Sequence, residues 1–389
     1  MRALDCAVTC LPTLALVCAV PSFPFVAHGQ GSAVDSVRAA SDTTVKISFD
    51  GFVDGYYAWD FGRPTNFDRS FAGGALFTTQ PARHNEFNVN LAYVALRLDG
   101  ARIRGRIALQ AGTSVQFNYS GEPTNGQVSG ASLARNIQEA FVGVMVSPNI
   151  WIDGGIFYSH MGMEGWASRD NPTYTRSLVA DYSPYYQSGV RATWAATSKL
   201  TAQLDIVNGW QNISENNNGK GAGVRLDYAK SSSTTFSYYN LVSQEAGTRL
   251  RVFNGVGAKS TVGRTTLLGQ FDFGMQDNSN GSGGSANWYG VTAIVRQQIT
   301  PTVAISGRVE RFDDQHQIII ATGSVDAQTN GPFRANGASI GLDWSPQRRL
   351  AWRSELRAFQ NTSAVFPNGS ANSPSKNNAM VVSSLALTF

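Results

Sequence analysis

Outside the first thirty residues the chain keeps three histidines, His84, His160 and His316, its natural candidates for metal binding or general-base work. None stands one helical turn from another, the spacing that would let two imidazoles share a zinc ion. All three fall in segments that read as loops. No nucleophile elbow is expected, and no serine can be nominated beside a histidine on an outer wall for acyl transfer. The glycine-rich 281–284 stretch is not followed by the helix start with Lys-Ser/Thr that a phosphate cradle needs. The three cysteines, Cys6, Cys10 and Cys18, all lie in the first twenty residues and leave the remainder without a thiol, disulfide or cysteine–metal site. These residues point to a chain with no catalytic centre, metal or cofactor.

Charge patterning is more informative. One polar segment, 160–183, carries Glu164, Arg169, Asp170, Arg176 and Asp181. Opposed charges on a loop folded into an aqueous channel would set a transverse field and favour small polar solutes; the same loop covering a mouth from outside would not. A second set consists of arginines at period-two positions: Arg102, Arg104, Arg106, Arg191, Arg225, Arg249, Arg251, Arg296, Arg308, Arg353 and Arg357. The carboxylates in phase with them are Asp205, Asp227, Asp272, Glu310, Asp343 and Glu355. On a water-facing wall an arginine excess predicts a modest anion preference. The competing expectation is that the arginines pair with the carboxylates and brace the wall.

The elements that must carry these residues are strands. Beyond the N-terminus no apolar run reaches the ~20 residues of a membrane helix, but period-two alternation is widespread. Val45, Ile47, Phe49, Val53, Tyr57 and Trp59 alternate with Lys46, Ser48, Asp50, Asp54 and Asp60. Ile103, Ile107, Leu109, Val115 and Phe117 alternate with Arg102, Arg104, Arg106, Gln110, Ser114 and Gln116. Tight polar turns at 99–100, 147–149, 197–199, 231–233, 261–263, 300–301 and 345–347 alternate with links at 61–85, 118–134, 160–183, 211–218, 244–248, 277–286, 315–332 and 362–377. Short turns on one side and long loops on the other predict an all-β, antiparallel, up-and-down transmembrane barrel of about 16 strands over 44–389. Segments 234–243 and 286–299 alternate poorly, and the count falls by two without them.

Composition agrees. Charged residues make up 15% and hydrophobic ones 42%, below the ~25% charge of ordinary soluble domains, because every second strand residue must meet lipid. The formal charge of +4 has no clustered basic stretch of the kind nucleic-acid binding shows. Arg2, the apolar Cys6–Val20 stretch and Ala27-His28-Gly29 read as a cleavable export signal over 1–29, with 30–43 a periplasmic lead-in. Localisation in a bacterial outer membrane follows. Val381, Ser383, Leu385, Leu387 and Phe389 share one face of a last strand. Such an ending resembles the signal read by the barrel-assembly machinery, with Phe389 as the contact. Tyr57, Trp59 and Trp210 are expected at outward strand ends; Trp151, Trp194, Trp344, Trp352 and Phe389 are expected near inner ends.

Several motifs together resemble the OmpL-like β-barrel porin family: Phe49-Asp50-Gly51-Phe52-Val53-Asp54-Gly55-Tyr56-Tyr57, His84-Asn85-Glu86-Phe87-Asn88, Gln138-Glu139-Ala140-Phe141-Val142, Gly155-x-Phe157 with Gly162-x-Glu164, and Val207-Asn208-Gly209-Trp210. The motifs cover roughly 47–230. The resemblance implies an outer-membrane barrel with pore function, and no particular substrate. By analogy with general porins, loop 160–183 folds inward, small hydrophilic solutes pass, and the chain forms a homotrimer in outer-membrane lipid. A barrel that binds a surface partner through loops 61–85 and 315–332 is the alternative.

Overall fold

The computed structural model describes residues 45–245, 249–277, 283–325, 328–329 and 331–389. The expected signal and lead-in lie outside them. Sixteen strands close one antiparallel barrel. They are β1 (Lys46–Asp60), β2 (Phe87–Asp99), β3 (Ile103–Ala111), β4 (Ile137–Ser147), β5 (Ile150–Tyr158) and β6 (Tyr186–Ala195). Next come β7 (Leu200–Val207), β8 (Gly221–Ser231), β9 (Thr234–Glu245), β10 (Arg249–Val262) and β11 (Thr265–Gln276). The ring ends with β12 (Ala286–Gln298), β13 (Val303–Asp314), β14 (Phe333–Gln347), β15 (Leu350–Asn361) and β16 (Asn377–Thr388). Each strand pairs with its sequence neighbours, and β16 closes on β1 from Phe52↔Thr388 to Asp60↔Met380. Closure leaves no strand edge unpaired, which a bilayer core demands.

Alternation sorts the side chains as the pattern requires. In β1 the even-numbered Phe52, Asp54, Tyr56, Ala58 and Asp60 are buried inside, while Ile47, Phe49 and Val53 face out. In β16 Val381, Leu385, Leu387 and Phe389 face out, and Met380, Val382, Ser384 and Ala386 face in. Phe389 extends the seam: its N–H donates to Gly51 O (3.1 Å) and its carbonyl accepts from Gly51 N–H (2.9 Å).

The two weakly alternating segments are strands after all, β9 and β12. Their inner faces carry Tyr239 and Leu241, and Trp288 and Ile294. Tyr239, Leu241 and Trp288 join a cluster with the loop residues Met161, Leu178 and Val179 rather than meeting water, so inward and outward positions look alike in sequence. The reading of β3 overran: the strand ends at Ala111, and Thr113–Asn118 is a helix. Gly112 turns the chain there with φ 138°, against the backbone of Asn90. The link at 244–248 is shorter than expected, because β9 continues to Glu245.

Rings form girdles at both ends, with two exceptions. Trp194, Trp344 and Phe389 are about half exposed on the outer face at the short-turn end. Trp210 instead lies inside, edge-on to Phe253 (5.1 Å) and Trp288 (6.0 Å). Trp151 shares the inward phase of Asp153 and stacks under Arg104 at 4.5 Å. Height along the barrel was legible for both; their side was not.

Candidate functional site

The segment between β5 and β6 enters the barrel and crosses it. At its start His160 is buried, and its Nε2–H donates to the Asn240 carbonyl (2.7 Å). Burial holds the imidazole pKa below its usual value. Arg225, seated on Asp227 (2.8 Å), donates to the carbonyls of His160 (2.7 Å) and Gly162 (3.0 Å). Two wall glycines make room for this path: a Cβ on Gly223 would strike the His160 ring, and one on Gly290 would strike Val179.

The far side of the loop is tied to the opposite wall. Arg353 donates to the carbonyls of Ser168 (2.5 Å), Asn171 (3.2 Å) and Pro172 (3.2 Å), and is itself held by Asp343 (2.9 Å). Glu355 accepts from the Thr175 amide (2.7 Å) and hydroxyl (2.8 Å). Arg308 bonds Glu355 (2.9 Å) and the Thr175 carbonyl (2.7 Å), and lies 3.2 Å from Glu310. Glu310 accepts from the Leu178 amide (2.6 Å) and from Arg357 (2.8 Å). On β1, Asp54 accepts from Ser168 (3.0 Å). Peptide groups in a lumen need partners, and here buried charged wall residues supply them.

The five charges expected to line a constriction are therefore divided. Glu164 binds the amide and hydroxyl of Ser177, and burial raises its pKa above the ordinary range. Arg176 donates to the Ala180 carbonyl (2.7 Å) and lies over the Tyr185 ring at 3.5 Å. Asp181 accepts from Thr79 (2.5 Å) and Tyr185 (2.6 Å). Glu164 and Arg176 hold the loop's own shape, and Asp181 also ties it to the loop after β1. Arg169 and Asp170 keep partial exposure, 3.8 Å apart, with Arg169 also bonded to Tyr93 and to Thr388 (3.0 Å).

Pairing pervades the wall. Arg104 pairs with Asp153 (2.5 Å), Arg106 with Glu139 (2.7 Å), Arg191 with Asp205 (2.8 Å) and Arg296 with Asp343 (3.1 Å). Arg251 bonds Gln276 (2.5 Å) and lies 3.6 Å from Glu245. Asp272 accepts from Tyr239 (2.7 Å). Arg102 lies in the turn before β3 and Arg249 at the loop end of β10, both exposed. The tally of inward carboxylates left out Asp54 and Asp60, although alternation had placed them on the polar face of β1, and it also missed Glu139 and Asp153. With them counted, the wall is close to balanced rather than arginine-rich. Sequence reasoning also missed Gly337-Ala338-Ser339-Ile340-Gly341, which has elbow spacing. It lies in mid-β14, without the strand-to-helix turn that exposes a nucleophile.

Above the crossing loop the mouth is partly filled by the loop after β1. Arg69, fully buried, anchors it to Asp60 (2.9 Å) and Thr78 (2.6 Å). Phe71 and Phe77 pack with Phe333, Phe359 and Phe366, ring centroids 4.9 to 6.5 Å apart. Inward charges that retain exposure gather toward the short-turn end: Asp50, Arg97, Asp99, Arg104, Arg106, Arg169 and Arg296.

The family model described as "Putative beta-barrel porin-2, OmpL-like" matches residues 46–389. Among solved structures, the outer membrane channel DcaP of Acinetobacter baumannii is similar with a TM-score of 0.56 at 12% identity, over 90% of this chain and 99% of that one. An anion-selective porin from Comamonas acidovorans is similar with a TM-score of 0.53 at 12% identity, over 89% and 100%. OmpT of Vibrio cholerae in a trimer form is similar with a TM-score of 0.54 at 7% identity, over 89% and 99%. At these identities the likeness is one of fold. No curated protein matches the chain.

Proposed function

The chain belongs to the OmpL-like family of β-barrel porins, and from that premise we propose that it is a passive diffusion channel for small hydrophilic solutes. It is an outer-membrane porin by family; the solute class and the route are our reading. The observation that carries it is a polar loop held across the lumen by charged wall residues, Arg308, Arg353, Glu310 and Glu355. A filter of fixed charges with satisfied partners admits solutes by size and polarity, and needs neither cofactor nor catalytic group. In this reading Arg169 and Asp170 line the narrow passage, while Glu164, Arg176 and Asp181 shape the loop.

Any anion preference in this reading is small, since wall arginines from Arg104 to Arg357 stand beside carboxylates. The reading includes a signal over 1–29, a periplasmic lead-in over 30–43, delivery by the barrel-assembly machinery through Phe389, and a homotrimer in outer-membrane lipid. The adhesion alternative loses support where the loop after β1 turns Phe71 and Phe77 into the barrel.

The test is single-channel conductance of protein purified from outer membranes, in a planar bilayer with asymmetric salt. Discrete stable steps with a near-zero or slightly anion-directed reversal potential are expected. A folded barrel that passes no current would overturn the channel reading, and a clear cation preference would remove the anion component.

A further inference from the structure

The outer face of β14, β15 and β16 is not uniformly lipid-smooth. Strand register stacks three cross-strand rows there. The lowest is Ile340, Leu356 and Val381, bulky and exposed. Above it stand Ala338, Ala358 and Ala379, and above these Asn336, Gln360 and Asn377. Three alanines between larger rows leave a dent, and the hairpin after β15 overhangs it through Pro367 and Asn368. The result is a recess of about 560 Å³ on the outer face, at the long-loop end.

Beside the polar row sits a basic pair. Arg311 and Arg334 share a single carboxylate, Asp313, at 2.9 and 3.0 Å. Arg311 also donates to Asn336 Oδ1 (3.1 Å) and to the Tyr289 hydroxyl (3.2 Å). Arg334 reaches Asp313 through Nε alone. Both guanidinium side chains are about one-third exposed, whereas Asp313 is nearly covered. Two cations over one shielded anion leave a positive rim. Arginine forks suit phosphate oxygens well, and the apolar dent begins on the same strand as Arg334, at Ala338.

We infer that this face binds one phosphorylated, multiply acylated lipid of the outer leaflet. Its phosphate sits on Arg311 and Arg334, and an acyl chain lies over Ala338, Ala358 and Ala379. The inference rests on the outer-membrane reading but not on conduction. Charge complementarity selects this occupant over a second copy of the chain, whose matching surface would have to be anionic.

The experiment uses delipidated full-length protein from outer membranes and a doubly phosphorylated hexa-acyl disaccharide lipid, with its dephosphorylated counterpart as control. Binding is read by native mass spectrometry. Wild type is expected to retain one phosphorylated lipid and to bind the control at least tenfold more weakly. R311Q/R334Q should lose that discrimination, and A358W, which fills the dent, should lose binding of both lipids. Equal binding of the two lipids to wild type, meaning ordinary annular contact, would overturn the proposal. So would an A358W variant that changes oligomeric state but not lipid occupancy. Conductance, measured in parallel on the same variants, should stay at the wild-type value; a non-conducting wild type that still discriminates the lipids sinks the channel reading alone.

Discussion

Removing the Glu355 carboxylate should unseat the crossing loop without dissolving the barrel. Glu355 is almost wholly buried and accepts three bonds: Thr175 N–H (2.7 Å), Thr175 O–H (2.8 Å) and Arg308 Nη2 (2.9 Å). E355A leaves the Thr175 amide and hydroxyl without this acceptor, while Arg308 keeps Glu310 at 3.2 Å. Breaking one side of a buried charged network costs roughly 3–5 kcal/mol. Because Arg308 remains compensated, the lower figure applies, and at 1.4 kcal/mol per decade it raises the detached-to-seated ratio of the loop roughly a hundredfold. The sixteen-strand ladder does not involve this side chain, so heat-modifiable mobility on gels should persist. Single-channel recording should show larger, flickering openings, and trypsin should cut after Arg169 or Arg176 in E355A but not in wild type. Wild-type conductance with an intact loop after protease treatment, in a folded E355A barrel, would refute the claim that the carboxylate seats the loop.

Two further outcomes follow from particular contacts. D153N frees Arg104 from its 2.5 Å partner and should move the reversal potential toward anions. The shift should be larger at 0.1 M than at 1 M salt, because screening lengths shrink from about 10 to 3 Å. An unchanged potential at both salts would place the pair outside the conduction path. His84 accepts the Asp60 amide at Nδ1 (2.9 Å), and desolvation lowers its pKa from 6.5 despite the nearby Asp60. A depressed folded-state pKa gives stability that is complete above pH 6.5 and is lost as pH falls through the folded value. Protection factors of the amides in 61–85, with the base-catalysed intrinsic exchange rate divided out, should therefore fall at pH 5 relative to pH 8 in wild type. H84N, whose side-chain carbonyl can accept the same amide at either pH, should lose that dependence; equal pH sensitivity in both proteins would exclude His84 as its source.

The sequence by itself determined the barrel. Period-two alternation, the strict succession of short turns and long links, and the final amphipathic strand depend only on which residues meet lipid. All are local, so sixteen strands and their side-chain phase could be read from spacing. The reading failed where inward positions meet protein instead of water. Tyr239, Leu241 and Trp288 blur β9 and β12 because they cluster with loop residues, and Trp210 turns inward to the same cluster.

Only the tertiary structure decided what the interior charges do. Whether Arg308 draws anions or holds a backbone depends on Thr175 and Glu355, 133 and 47 residues away in sequence. No pattern along the chain records those separations. The charges of 160–183 could be identified in advance, but their division into Arg169 and Asp170, which lie against each other and the wall, and Glu164, Arg176 and Asp181, which bond loop amides, carbonyls and hydroxyls, required the fold. Spacing in an alternating strand fixes which side a residue faces. Its partners across a closed barrel are set by how the ring and the crossing loop pack in three dimensions, where each buried charge must find an opposite charge or a peptide group.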